Sequence, residues 1–226
     1  MNLCSKLSTL GAALVLTTAF ASADTLHIES FATGNPVAGA SNSSTTYGTH
    51  GTVAVNPGNP TTGWAPAIGN SQWVSYAQTG PTGSIISPNG TYTYQTTFIL
   101  DTTDESYTGS LEVLADDTTN VYLNGTLIQS ASDTGTDTHC QQEKPNCSAE
   151  LTITLNPNLF KDGKNTLTFG VEQTGKGAQG LDFYGTIVGT PTKGGGLPQT
   201  PEPSSLLLLG TGLIGSAGAL FRRMRS

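Results

Sequence analysis

The sequence predicts an all-β fold, an antiparallel β-sandwich, with a secretory leader before it and one membrane-spanning helix behind it. Three observations predict this. Thr is the commonest residue, with 36 among 226 positions, and Gly adds 28; β-branched Thr suits a pleated surface, while Gly, Asn and Pro cut the chain into short pieces. Period-two alternation of apolar residues recurs through the middle of the chain, which places one face of each strand on a core and the other in water. The few cations are gathered at the two ends. Residues 24–200 carry 15 acidic residues against five lysines and no arginine, a composition that excludes the cationic face a nucleic-acid binder needs.

Residues 1–23 open with Lys6, continue through an apolar run from Leu10 to Phe20 and end in Ala21-Ser22-Ala23. This is the pattern of a secretory leader. Ala21 and Ala23 supply the small side chains that signal peptidase requires, so Asp24 is expected to begin the mature chain. The apolar run is shorter than the ~20 residues of a bilayer span. Cys4 lies before it and leaves with the leader.

The strands of the middle domain, residues 24–188, follow from the alternation. Leu26 and Ile28 mark the first; Tyr92, Tyr94, Thr96, Phe98 and Leu100 a long one; Leu111, Val113 and Ala115 the next. Val121 and Leu123, then Leu151, Ile153 and Leu155, then Leu167, Phe169 and Val171 mark three more, and Leu181, Phe183, Gly185 and Ile187 the last. Asn124-Gly125 between apolar runs predicts a two-residue type I′ turn, because both positions need positive φ, and hence a hairpin over Tyr122–Leu127. Asp162-Gly163 marks a second reversal. The stretch from Ala32 to Asn70, poor in apolar runs and rich in Gly, Pro, Asn and Ser, reads as mostly loop.

The order A-D-D-x-x-x-V-Y-L-N-G at Ala115–Gly125, followed by G-K-N-T-L-T-F-G-V at Gly163–Val171 and a final apolar strand, resembles the jelly-roll domains grouped as galactose-binding-like. The resemblance spans about residues 72–188. It implies a jelly-roll, a family that includes carbohydrate-binding modules and accessory domains of glycosidases, and often a structural calcium. Function, however, sits in loops rather than in the scaffold.

Gly189–Thr200 is rich in Gly and Pro and reads as a tether. Pro201-Glu202-Pro203 follows, then residues 204–221 without a charge, then Arg222, Arg223 and Arg225. A helix over that uncharged run is ~27 Å long, close to the ~30 Å hydrocarbon core. The arginines hold the tail on the cytoplasmic side and leave the domain outside. Motif, apolar span and basic terminus together resemble the PEP-CTERM sorting signal of Gram-negative bacteria, over residues 201–226. The resemblance implies transient residence in the inner membrane and recognition of Pro201, Glu202 and Pro203 by exosortase, whose own residues do the chemistry. It also implies release or surface attachment, often alongside exopolysaccharide. Thr200 stands where that family often has Val.

Chemistry-bearing residues are few. Cys140 and Cys147 are most simply one disulfide in an oxidising compartment, and closing so short a loop restricts the unfolded chain by about 2 to 3 kcal/mol. Their spacing is not that of a catalytic dithiol, and a metal site has only His139 adjacent. His27 alternates with Leu26 and Ile28 and is expected to face solvent; His50 sits in a Thr/Gly loop, and no nucleophile elbow, zinc motif, P-loop or dinucleotide fingerprint occurs. Asp101, Asp104, Glu105, Glu112, Asp116 and Asp117 are open to three readings: turn and cap residues, calcium ligands, or a glycosidase pair. Asp116-Asp117 is the first choice for calcium, with Asp182 more distant.

Sugar recognition needs an exposed aromatic platform. Trp64 and Tyr47 are the candidates, with Tyr76; Trp73 lies in a short apolar strand and reads as core, whereas Trp64, among Pro60, Gly63 and Pro66, stays open between the two. The expected function is that of a non-enzymatic protein, secreted or sorted to the outer surface, associated with exopolysaccharide or biofilm matrix. A carbohydrate-binding module is the alternative, and a small glycan-active enzyme the third reading.

Overall fold

The structure, a computed structural model, describes residues 24–31, 37–58, 63–101, 104–132, 140 and 143–191. The expected leader and the expected helix over 204–221 lie outside them. Among the described residues eleven strands are formed: β1 Thr25–Glu29, β2 Ser41–Tyr47, β3 His50–Ala54, β4 Val74–Ser75, β5 Gly90–Leu100, β6 Asp104–Asp116, β7 Thr118–Leu123, β8 Thr126–Gln129, β9 Leu151–Leu155, β10 Gly163–Gln173 and β11 Gly180–Pro191. Their pairings are antiparallel, and the strands run in the order β8-β7-β10-β5-β2-β3-β4-β11-β6-β9, with β1 on β11. Phe169 of β10 stacks on Phe183 of β11, centroids 4.5 Å apart, although the two strands are far apart in that order. The sheet therefore doubles back on itself, and its two halves enclose one core as a β-sandwich.

The alternating residues form that core. Tyr94, Phe98, Leu100, Leu111, Val113, Val121, Leu123, Leu167, Phe169, Val171, Leu181, Phe183 and Ile187 are all buried in a single cluster. The Asn124-Gly125 hairpin is present, with φ of 52° and 85° at the two turn positions and Tyr122 opposite Leu127. Asn124 is also tied to the second reversal. Its Nδ2 donates to Asn165 Oδ1 at 2.7 Å and to Leu159 O at 2.8 Å, and its Oδ1 accepts from Thr166 N. Gly163 opens β10 with φ of 73°.

The stretch from Ala32 to Asn70, expected to be mostly loop, nevertheless holds two strands among its described residues, β2 and β3, and β2 pairs with β5. The inward positions of β2 are polar. Asn42 and Thr45 are buried, and both donate to the carbonyl of Ser30, at 2.5 and 2.8 Å, so a strand with a hydrogen-bonded interior shows no apolar alternation.

Part of the outer face of β6 and β11 is covered rather than in water. Leu114, Asp116 and Asp182 lie there, and each is at most 2% exposed. Residues 63–73 fold over them and build a second cluster of Val55, Trp64, Ile68, Trp73, Leu114 and Cys147. The two indoles pack against each other in a tilted arrangement, centroids 4.3 Å apart and planes at 31°.

Candidate functional site

At one end of the sandwich the core reaches the surface through tyrosines. Alternation along β5 sends Tyr92, Tyr94, Thr96 and Phe98 to the same side; Tyr94 is fully buried, while Tyr92, nearer the strand's start, is half-buried. Tyr47 ends β2 opposite Tyr94, and Tyr76 follows β4. The Tyr76 and Tyr92 rings stack 5.1 Å apart at 7°. Tyr47 lies 5.4 Å from Tyr76 and 6.1 Å from Tyr92. All three are half-buried, so the group is one aromatic surface in contact with both core and water.

Beneath it, Tyr94 OH donates to Gln179 Oε1 at 2.8 Å, which also accepts from Ser75. At the rim, Tyr92 OH donates to Pro88 O at 2.8 Å, while Tyr76 OH turns inward and lies 3.2 Å from Oγ of the buried Ser87. Burial, followed by the adjacent Tyr76, pushes the Tyr92 phenol up to about 12, so it stays neutral. The segment 81–86 before Ser87 is exposed throughout, with Ile85 at 42% and Ile86 at 70%.

Tyr47 and Tyr76 were legible as candidates from the sequence, whereas Tyr92 was assigned only to a strand. Trp64 is corrected: at 2% exposure, its indole is not an available platform. Its ring packs on Trp73, and its Nε1 donates to Asp116 Oδ2 at 2.5 Å.

Asp116 and Asp117 are both buried and serve different loops. Asp116 holds Trp64, and its carboxylate lies within 4.8 Å of the sulfurs of Cys140 and Cys147, which are bonded to each other and so offer no thiolate. Asp117 Oδ2 accepts from Thr174 N at 2.6 Å and from Thr174 Oγ1 at 2.8 Å. A calcium ion shared by this pair would have to compete with the indole and with both Thr174 donors.

Asp182 is fully buried beneath residues 63–73. Its Oδ1 accepts from Ser30 Oγ at 2.7 Å and Ser71 Oγ at 2.6 Å, and its Oδ2 from Ile68 N at 2.8 Å. Burial outweighs these donors and raises it from 3.8 to about 6. It pins residues 68–71 to the end of β1.

Asp101 and Asp104 lie at the opposite end from the tyrosines. With Asp24 and Tyr107 they line a cavity of about 90 Å³. Burial and then Asp104 push the Tyr107 phenol up to about 12; its hydroxyl donates to the Asp101 carbonyl. Glu112 is on β6, and the side chain of Glu105 is outside the described set, as is His139. His27 is exposed, as expected, and stacks on Tyr184, whose hydroxyl is 2.8 Å from Nδ1. Ala21, Ala23, Pro201, Glu202 and Pro203 lie outside the described residues; Asp24 is exposed and begins the described chain.

Residues 199–225 match the PEP-CTERM protein-sorting motif. The motif marks export to the cell envelope or surface and processing by exosortase. No curated protein sequence matches the chain. Among solved structures, the chain is similar to the GH26-CBM35 beta-(1,4)-mannanase of Podospora anserina, at 16% identity and a TM-score of 0.36, covering 78% of this chain and 29% of that one. It is also similar to CBM35 from Paenibacillus barcinonensis, at 17% identity and a TM-score of 0.34, covering 75% of this chain and 99% of that one. A family 35 carbohydrate binding module from Clostridium thermocellum has 14% identity and a TM-score of 0.29, covering 55% of this chain and 83% of that one. Likeness at this level carries neither a ligand nor an activity across.

Proposed function

We propose that this chain is a non-enzymatic protein, delivered through the inner membrane and sorted by its tail to the outer surface or the extracellular matrix, where it associates with exopolysaccharide. The observation that carries the reading is the sorting motif at residues 199–225, placed behind a β-domain rather than behind a recognisable catalytic scaffold.

The carboxylates support the non-enzymatic part. Asp116, Asp117 and Asp182 are buried acceptors for the chain's own donors. The cavities beside Asp104, one shared with Asp101 and one with Asp162, have about 90 and 200 Å³, under the roughly 300 Å³ at which small-molecule pockets begin. The acidity of residues 24–200 suits a protein that stays soluble outside the cell rather than one that holds polyanions. A carbohydrate-binding role is the second reading, favoured by the tyrosine surface.

The sorting reading is tested by replacing Pro201, Glu202 and Pro203 together with Ala and fractionating cells. The variant is expected to accumulate in the inner membrane while the wild type reaches the surface or medium. Normal release of the variant would count against processing at that motif.

A further inference from the structure

We infer that Tyr47, Tyr76 and Tyr92 form a binding surface for neutral polysaccharide chains. The inference rests on the reading that the domain works outside the cell among polysaccharides, and it names the site and the class of ligand.

Three half-buried aromatic rings in mutual contact are more than the core requires, because Tyr94 already closes it beneath them at 0% exposure. Tyr76 and Tyr92 cover one face of each other, and the ring surface that the half-buried group leaves at water matches the C–H-rich faces of pyranose rings, which lose little hydration on stacking. The Tyr92 phenol, in an exposed bond to Pro88 O, sets a hydroxyl at the rim, as hydroxyl-bearing ligands require. Burial and neighbouring phenols keep the Tyr92 hydroxyl protonated. The ligand is neutral rather than acidic, because residues 24–200 carry three acids for every lysine and a uronic-acid polymer would be repelled by that field.

Position agrees. Tyr94 is bonded to Gln179, immediately before β11, whereas the tether leaves β11 after Pro191. At ~3.4 Å per residue these points are separated by roughly 35 to 40 Å along the strand. Tyr92 and Tyr94 face Val171 and Phe169 of β10, and Leu100 at the other end faces Gly163, so the tyrosines sit on the end away from the tail. A membrane-tethered domain thus presents them outward.

The test is affinity electrophoresis of the full-length chain, purified in a detergent without sugar headgroups, through gels containing mannan, xylan, β-glucan or alginate. The wild type is expected to be retarded by at least one neutral polymer and not by alginate. Tyr76→Ala and Tyr92→Ala should weaken that retardation about tenfold or more, as the loss of an aromatic anchor does, while Tyr76→Phe retains most of it. A Leu127→Ser control, at an exposed site on β8, should change nothing. Should an alanine variant melt early, nitration of the wild type decides instead: the retarding polymer must protect Tyr76 and Tyr92 but not Tyr122 or Tyr184.

Absence of retardation by all neutral polymers, stronger retardation by alginate, or alanine variants that migrate like the folded wild type would each overturn the site. If the Pro201–Pro203 variant is held in the membrane while no polymer retards the protein, the sorting reading stands and this site falls. If the variant is released normally and a neutral polymer still retards the wild type through these tyrosines, the reverse holds.

Discussion

Replacing Asp182 with Asn should change how stability depends on pH, not only how large it is. In the folded chain the carboxyl titrates near 6, against 3.8 for the free group. The folded state therefore holds this proton more tightly than the unfolded state. Its contribution is fully present below about pH 4, declines as pH rises, and is gone above about pH 6 to 7. At ~1.4 kcal/mol per pH unit between the two values, the loss is about 3 kcal/mol.

The amide introduced by Asp182→Asn keeps one oxygen, which serves either the two serines on Oδ1 or the Ile68 N–H on Oδ2, and turns an NH2 group toward the other, a pH-independent penalty of about 1 to 3 kcal/mol. The assay is urea unfolding at pH 4, 5, 6 and 7, followed by the fluorescence of Trp64 and Trp73, which are buried and packed against each other under the same loop. All other carboxylates are common to both proteins, so the difference between the curves isolates Asp182. That difference should fall by roughly 2 to 3 kcal/mol between pH 4 and pH 7, enough to erase or reverse the penalty of the substitution. Parallel curves would refute the claim that burial outweighs the Ser30, Ser71 and Ile68 donors.

Two further outcomes are expected. A Cβ on Gly180 would sit 2.6 Å from Trp64 Cη2, so Gly180→Ala should lift residues 63–73 from the sheet, lower stability by the roughly 1 to 3 kcal/mol of an overpacked site, and shift tryptophan emission to the red; an unchanged melt would mean the loop is not seated there. Chelation with EDTA should leave the melting temperature where it was, because Asp116 and Asp117 are engaged by Trp64 and Thr174. Stabilisation by millimolar calcium would instead place a cation on them.

The seven alternating strands were legible because each buries apolar side chains on one face, a pattern that survives without knowledge of any partner. The Asn124-Gly125 turn was legible for a backbone reason, since few residues tolerate positive φ. β2 was not, because its inward residues are Asn42 and Thr45, and their fitness for the interior depends on one carbonyl, that of Ser30, which no local window contains. The second cluster was hidden for a related reason. Asp116 and Asp182 read as candidate calcium ligands, Asp116 also as a turn residue, and what buries them is the folding of residues 63–73 over them, a long-range event. Tyr92 was missed as part of the candidate surface because periodicity assigns it to the core side of β5; only the end of the strand shows that the core stops there.

The pairing of β1 with β11 has a consequence for the order of events during export. β1 begins at Thr25 and has its partner residues at Tyr184–Val188, the last strand of the domain. A chain that crosses the membrane from its N-terminus delivers β1 first and its partner last, after about 160 residues have followed. For that interval the first strand has nothing to pair with. The expected cut after Ala23 stands two residues before it, so the peptidase meets an extended, unoccupied segment. Once β11 arrives the same segment is zipped into the sheet, and Gly189 N–H donates to the carbonyl of Asp24 at 3.0 Å. If the expected leader is removed while the chain is crossing, topology alone places that cut ahead of folding.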